Sequence, residues 1–184
     1  MIPERLGPVL DVVTPLAERF AAADRRLFLV GGIVRDLLVG RELSELDIDL
    51  TTDATPDQVK DLIGGHVDSL WTQVRGWAVA TTTHPAEVYV PHSRKPEVEF
   101  STEVEADLSR RDFTVNAMAL ALPELQLIDP FDGAADLAAG RLRTPLAPEE
   151  SFSDDPLRML RAARFLAGYG LTPSDELVRA VAEL

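Results

Sequence analysis

Two aspartates stand one residue apart in the segment LDIDLTT, residues 46–52. The neighbouring residues are typical of a β-strand, and alternate residues of a strand share a face, so Asp47 and Asp49 are expected to project together. Two adjacent carboxylates repel each other, and a divalent cation removes that conflict. Mg²⁺ favours one or two carboxylates together with water and substrate phosphates. The pair therefore predicts either a magnesium site or two solvated aspartates on an edge strand.

A possible anion site precedes the aspartates. The strand-like run LFLV (27–30) leads directly into Gly31 and Gly32 and then into an apolar-periodic segment that Gly40 ends. Two glycines between a strand and a helix favour a tight turn whose free backbone N–H groups can meet an anion. Arg35 adds a positive charge one helical turn later. The simpler alternative is a helix start with a surface arginine.

An arginine-rich helix is predicted in the segment DDPLRMLRAARFLAGYG, residues 154–170. Asp155 only accepts hydrogen bonds and Arg158 only donates them, so together they can imitate a Watson–Crick edge and pair with cytosine or adenine. Arg161 and Arg164 continue the arginines at intervals of three residues. The alternative is an N-terminal cap at Asp155 followed by a solvated arginine face.

The elements that would position these groups are helices and short strands in mixed order. A capping box of Thr55 and Gln58 with Pro56 at the first helical position predicts a helix that Gly64 ends. The other predicted elements are a helix at 9–22, strands at 27–30 and 46–52, β-rich pieces between 68 and 101, a helical or mixed segment at 105–122, a strand at 125–129, a short helix closed by Gly140, and two C-terminal helices. This pattern predicts an α/β (α+β) fold with a small mixed sheet.

The composition narrows the function classes. The chain has 184 residues, 31 of them acidic against 18 basic, and a formal net charge of −13. That charge disfavours non-specific binding to nucleic acid, so any contact with a polyanion must be local or metal-assisted. Cysteine, an export signal and an apolar run of about 18 residues are all missing, which predicts a cytoplasmic protein with no membrane span and no thiolate metal site.

Four segments resemble motifs of one enzyme family, in that family's order. They are LVGGIVRDLLVGRELSELDIDLTT (29–52), RRDFTVNAMAL (110–120), IDPFDGAADLAAGRLRT (128–144) and DDPLRMLRAARF (154–165). Together they resemble the class II tRNA nucleotidyltransferases, the CCA-adding enzymes of the polymerase β-like nucleotidyltransferase superfamily. The resemblance implies a nucleotidyltransferase head at 1–150 and the beginning of a helical neck at 151–184.

The resemblance also implies an activity and a set of site residues. The activity is the metal-dependent transfer of CMP, with AMP left open, from CTP or ATP to the 3′ end of tRNA, without a nucleic-acid template. Two Mg²⁺ ions would be held by Asp47 and Asp49, with Glu87 as a supporting carboxylate. The residues implied in nucleotide binding are Gly32, Arg35, Arg111, Asp112, Asn116, Asp155, Arg158, Arg161 and Arg164.

The sequence departs from the family pattern after Glu87. The segment AEVYVPHSRKPEVEF passes directly to SRKPEV, where the family has a flexible loop of about ten residues. This implies a subgroup that adds only two cytidines, an engineered deletion, or omitted residues. The expected helical body and tail that hold tRNA do not follow either. One alternative is therefore a truncated nucleotide-binding module without turnover. Another, within the same superfamily, is a bacterial poly(A) polymerase, but the segment ELSELDIDL after Gly40 and Arg41 favours the CCA type.

Overall fold

The computed structural model describes residues 6–41, 48–63, 85–88, 97–100 and 104–183. Its helices are α1 (Gly7–Ala22), α2 (Gly32–Val39), α3 (Pro56–Ile63), α4 (Val104–Ser109), α5 (Gly133–Ala138), α6 (Pro148–Asp154), α7 (Leu157–Tyr169) and α8 (Asp175–Glu183). Its strands are β1 (Leu27–Val30), β2 (Asp49–Thr52), β3 (Pro85–Val88), β4 (Glu97–Phe100), β5 (Ala119–Leu122), β6 (Gln126–Ile128), β7 (Arg141–Leu142) and β8 (Thr172–Pro173). The predicted α+β class is confirmed.

The main sheet has the strand order β2-β1-β5-β6, and every pairing in its described part is antiparallel. β1 is central and buried along its whole length, as its apolar sequence LFLV requires. In the register of the sheet, Val30 at the end of β1 lies opposite Asp49 on β2 and opposite Ala119 on β5. The sheet therefore delivers Asp49 to the point where β1 turns into α2.

Helix α1 covers one face of this sheet. Its buried side chains recur at helical spacing, at Val9, Val13, Ala17 and Phe20, and pack in one apolar cluster with Leu29 of β1. The predicted helix is confirmed and begins two residues earlier than its apolar pattern indicated. Its apolar stripe makes α1 a support for the sheet and not part of a site.

The predicted capping box at the start of α3 is confirmed. The backbone N–H of Thr55 donates to the Gln58 side-chain oxygen at 2.9 Å, and the Gln58 N–H points to the Thr55 hydroxyl at 3.4 Å. These reciprocal bonds satisfy two backbone donors that a helix start leaves open. The expected helix stop at Gly64 lies outside the described residues.

The β-rich region is described in two pieces, β3 and β4, which pair antiparallel with Glu87 opposite Val98. The sequence left open whether these pieces were sheet strands or hairpin arms, and this pairing is that of two hairpin arms. Only the backbone of Glu87 belongs to the described part of the chain. The other predicted strand segments of this region, and Asp47, lie outside it.

The C-terminal helices share a core with the preceding residues. Phe113, Val115 and Leu142 form one buried cluster with side chains of α6, α7 and α8, namely Phe152, Ala162, Leu177 and Ala180. Strand β7 also pairs in parallel with β8. The predicted boundary between head and neck near residue 150 remains a prediction. In the structure, α7 packs directly on the residues that follow α4. Across the described ranges, no helix combines the length and apolarity that spanning a membrane requires.

Candidate functional site

A cleft of about 280 Å³ opens where β1 turns into α2. Three parts of the chain form its walls: the turn at the start of α2, the segment after α4, and the first turns of α7. The described residues that line it are Gly31, Gly32, Asp49, Arg110, Arg111, Asp112, Asn116, Arg158 and Arg161. Seven of the twelve predicted site residues are thus brought to one cleft: Gly32, Asp49, Arg111, Asp112, Asn116, Arg158 and Arg161.

The floor of the cleft is the glycine turn. Gly31 has φ +77° and ψ −142°, a conformation that L side chains rarely adopt. A Cβ at this position would also lie 3.1 Å from Nη1 of Arg111 and 3.3 Å from Oδ2 of Asp49. Both the backbone angle and the close approach of two charged side chains therefore require glycine. The first N–H groups of α2 remain available at the cleft.

Arg111 forms the wall opposite Asp49. Its guanidinium pairs with Asp107 of α4, with Nη2 and Nε at 3.0 and 3.3 Å from Oδ2. This pairing keeps the side chain mostly buried, at 24% exposed, and directs it against the glycine turn. A partly desolvated arginine beside free helix N–H groups is suited to bind phosphate.

Asp112 and Asn116 form a hydrogen-bonded pair in the next part of the wall. One Asp112 oxygen accepts bonds from the Asn116 amide and from the Phe113 backbone N–H, both at 2.9 Å. The other Asp112 oxygen faces Arg161 of α7 at 3.8 Å. The remaining lone pairs of the Asp112 carboxylate can accept hydrogen bonds from hydroxyl groups such as those of a ribose.

Arg158 lies on the α7 side and is held by two acceptors. Its Nη1 donates to the Ser151 hydroxyl and its Nη2 to the Arg110 carbonyl, both at 2.6 Å. Its Nε is buried and has no hydrogen-bond partner in the described part of the chain. A buried donor without a partner costs about 1–3 kcal/mol.

Asp155 stands just before α7, whose N-cap residue is Pro156. Its Oδ1 accepts the Leu157 N–H at 3.0 Å, and its Oδ2 accepts from Arg161. It does not line the cleft, although its carboxylate keeps unused lone pairs and is 34% exposed. Arg164 is exposed and is also not among the described lining residues. The structure does not bring these two predicted residues into the cleft.

Arg35 is also absent from the described lining of the cleft. It is 7% exposed, and its guanidinium folds behind the glycine turn, where it meets Asp36, Asn116 and Tyr169. Nη2 of Arg35 would lie 3.3 Å from a Cβ built on Gly32. The geometry therefore supports a role of Arg35 beneath the turn and not a phosphate contact.

The cleft is positive in a strongly negative chain. Among its described lining residues are four arginines and two aspartates, whereas the whole chain has a formal charge of −13. Concentrating arginines in a concave, partly desolvated site raises the local potential for anions. The cleft is therefore suited to bind an anionic ligand, whereas the net charge of the chain as a whole repels one.

Asp49 is the described side chain that best fits a metal ion. It is half-buried and lines the cleft, so a metal ion bound there would face the space suited to phosphates. Mg²⁺ accepts one or two carboxylates when phosphate oxygens and water complete its shell. The described ranges contain no cluster of three or more His, Cys, Asp or Glu side chains. Asp47, the second expected ligand, lies outside those ranges.

Sequence reasoning named the Gly31–Gly32 turn as a possible anion site but missed three residues that shape the site. Arg110 belongs to the doublet RR, and that doubling was the available signal. Ser151 and Tyr169 gave no signal of their own, because their partners lie 7 and 134 residues away. Helical spacing alone does not show which side chain such residues meet.

A sequence profile described as the poly A polymerase head domain matches residues 27–143. The chain belongs to this family. The match covers the glycine turn, Asp49 and the Arg111–Asn116 wall, and it ends before α6 and α7. The predicted resemblance to nucleotidyltransferases is thus confirmed at the level of the head domain.

CCA-adding enzymes are among the proteins to which this chain is similar. That of Lactiplantibacillus plantarum is 36% identical over 190 residues, which cover 100% of this chain and 46% of the relative. The solved Bacillus stearothermophilus CCA-adding enzyme in complex with CTP has a TM-score of 0.73 at 29% identity, covering 96% of this chain and 43% of that one. The Thermotoga maritima CCA-adding enzyme complexed with tRNA has a TM-score of 0.71 at 26% identity, with 96% and 42% covered. The chain therefore spans less than half the length of each.

Proposed function

We propose that this chain binds CTP in the cleft and forms the nucleotide-binding part of an enzyme that adds cytidines to the 3′ end of tRNA. The observation that carries the proposal is the concentration of arginines around a glycine turn and Asp49 in a chain of opposite overall charge. The similarity to CCA-adding enzymes, one of them solved with CTP and another with tRNA, supports the choice of substrates.

Each wall of the cleft would bind one part of the nucleotide. The glycine turn and Arg111 bind the triphosphate, because both supply N–H donors to anionic oxygens. Asp112 accepts hydrogen bonds from the ribose hydroxyls, and the Asn116 amide can both accept and donate them. Arg158, with Asp155 at the edge of the site, meets the base, because one donates and the other accepts.

The magnesium expected from the sequence would be held by Asp49, together with Asp47. When bound, Mg²⁺ neutralises charge on the triphosphate and on the departing pyrophosphate. The protein's own contribution is to place the nucleotide in the cleft and to surround it with four arginines. In the reaction, the RNA 3′ oxygen bonds to the α-phosphorus of CTP, the α–β phosphoanhydride bond breaks, and the hydroxyl proton passes to solvent.

The test uses labelled CTP or ATP with Mg²⁺ and tRNAs that end before the CCA, after one C, or after CC. The variants are Asp49→Asn and, as a matched control, Arg179→Ala, an exposed position on α8. We expect CMP incorporation that falls about a hundredfold or more in Asp49→Asn and is unchanged in Arg179→Ala.

The products distinguish the finer proposals. Incorporation that stops after two cytidines supports the CC-adding type, and AMP added after CC supports CCA addition. Repeated AMP addition to any RNA would instead support a poly(A) polymerase. CTP binding without incorporation on any tRNA would contradict turnover by this chain and leave a nucleotide-binding module.

A further inference from the structure

Five side chains form a contact between α2 and the end of α7, here called the Arg35 latch: Arg35, Asp36, Arg41, Phe165 and Tyr169. The Tyr169 hydroxyl accepts a hydrogen bond from Nη2 of Arg35 and donates to Asp36 at 3.1 Å. The Arg35 guanidinium carbon lies 4.3 Å from the centre of the Tyr169 ring and 5.2 Å from that of Phe165. Cation–π contacts of a desolvated arginine further stabilise such a cluster.

Arg35 is committed to this contact. Its guanidinium makes four hydrogen bonds, two of them to Asp36, one to Asn116 and one to Tyr169. A guanidinium has five donors, so little capacity remains for a ligand. Arg35 is therefore a structural centre that joins the glycine turn, the Asn116 wall and α7.

The latch holds the C-terminal end of α7, and other contacts hold its N-terminal end. Arg41 of the segment after α2 donates to the Gly168 carbonyl at 2.8 Å, and its guanidinium lies 4.0 Å from the Tyr169 ring centre. At the other end, Arg158 donates to Ser151 and to the Arg110 carbonyl. Helix α7 is thus fixed at both ends relative to the walls that would bind phosphate and ribose.

We infer that Tyr169 and Arg35 are positioning residues for base recognition, an inference that rests on the proposed function. The phosphate wall belongs to the glycine turn and Arg111, whereas the base wall belongs to α7. A small rotation of α7 would leave the phosphate contacts intact and displace Arg158 from the base. The latch therefore sets which base is accepted, with little effect on the affinity for the triphosphate group.

The test variant is Tyr169→Phe, which keeps the ring and removes the two hydroxyl bonds to Arg35 and Asp36. Dissociation constants are measured for CTP, for UTP and for inorganic tripolyphosphate, with Arg179→Ala as the control. Because the Tyr169 hydroxyl bonds two charged groups, we expect the preference for CTP over UTP to fall about tenfold in the variant. Tripolyphosphate affinity should change less than about twofold, and Arg179→Ala should behave as wild type.

The outcomes separate this inference from the proposed function. A wild-type chain that binds neither CTP nor tripolyphosphate overturns the proposed function. A wild-type chain that prefers CTP, with the same preference in Tyr169→Phe, overturns only the inference. An equal loss of affinity for CTP, UTP and tripolyphosphate also overturns it, because that pattern indicates general loosening. Amide hydrogen exchange gives an independent check, since the inference requires faster exchange in α7 of Tyr169→Phe and unchanged exchange in α1.

Discussion

At the scale of single residues, the cleft side chains are held by partners that leave part of their hydrogen-bonding capacity unused. Asp112 joins Asn116 to Arg161, and Arg111 is oriented by Asp107. Such shared contacts fix a geometry before any ligand arrives, which reduces the ordering cost of binding. They also mean that replacing a residue that touches no ligand can alter the site.

Ser151 is such a residue, because it is buried and accepts a bond from Arg158 at 2.6 Å. In Ser151→Ala, Arg158 has a second donor without a partner, beside its buried Nε. We expect the free energy of unfolding to fall by about 1–3 kcal/mol, measured by urea denaturation. Ser153→Ala, an exposed change in the same helix, should stay within about 0.5 kcal/mol of wild type. Equal effects of the two variants would contradict this reading.

Because burial raises the pKa of Tyr169, we expect the protein to lose stability at alkaline pH. Burial raises the pKa of Tyr169 above its ordinary value of 10.0, with the Asp36 carboxylate adding to the rise and Arg35 opposing it. Below about pH 10 both folded and unfolded states keep the phenolic proton, so the stabilisation is complete. Above that pH the unfolded state ionises first, and the free energy of unfolding falls until the folded pKa is passed.

The measurement is urea denaturation of wild type and Tyr169→Phe between about pH 8 and pH 11. We expect a steeper decline in wild type than in the variant, because the other titrating groups are common to both. Identical slopes would show that burial of Tyr169 is not linked to stability. The tyrosinate absorbance of a Tyr89→Phe chain, in which Tyr169 is the remaining tyrosine, gives the folded pKa directly.

At the scale of elements, the position of α5 explains the motif IDPFDGAADL. Asp129 accepts the first N–H groups of this helix, from Gly133 at 2.7 Å and from Ala134 at 2.9 Å. A Cβ at Gly133 would lie 2.1 Å from the Thr114 carbonyl oxygen. The helix start is therefore pressed against the backbone just before Asn116, and α5 supports the wall of the cleft from behind.

We expect Gly133→Ala to lower the free energy of unfolding by about 3 kcal/mol or more, because backbone must move to admit the methyl group. Gly168→Ala is the matched control within α7, where a Cβ meets nothing within 4 Å. That change should raise stability by about 0.5–1 kcal/mol, since alanine loses less entropy in a helix. Thermal or urea unfolding measures both, and a neutral Gly133→Ala would contradict the predicted contact.

At the scale of the whole molecule, the C-terminal helices are part of the core that supports the cleft. Phe113 meets Phe165 of α7 edge to face, with 5.2 Å between the ring centres. Val115 and Leu142, fully buried, lie in the same cluster. Because Phe113 directly follows Asp112, the packing of α7 and the geometry of the ribose wall are connected.

A chain that ends at residue 150 should therefore lose cooperative folding. Exposing Phe113, Val115 and Leu142 costs about 1.5–3 kcal/mol for each side chain, against a typical total stability of about 5–15 kcal/mol. Calorimetric unfolding of residues 1–150, compared with the full chain, measures this. A truncated chain with an undiminished unfolding transition would support an independent domain at the predicted boundary.

Local sequence was enough to predict the features that depend on neighbours along the chain. The capping box of Thr55 and Gln58, the glycine turn after LFLV and the helix stops at Gly40 and Gly140 are local, because each is set by the backbone preferences of a few consecutive residues. Seven of the site residues that the four-motif resemblance implied line one cleft.

The division of the charged side chains between cleft and support depends on tertiary packing. Arg35 and Arg158 both lie near the start of a predicted helix, and both were implied in nucleotide binding. Arg35 is nevertheless enclosed by Asn116 and Tyr169, which are 81 and 134 residues away. Arg158, by contrast, lines the cleft, and its buried Nε has no hydrogen-bond partner among the described residues. Their difference comes from the packing of α7 on α2, because burial and long-range partners, and not local residue preference, determine where a guanidinium points.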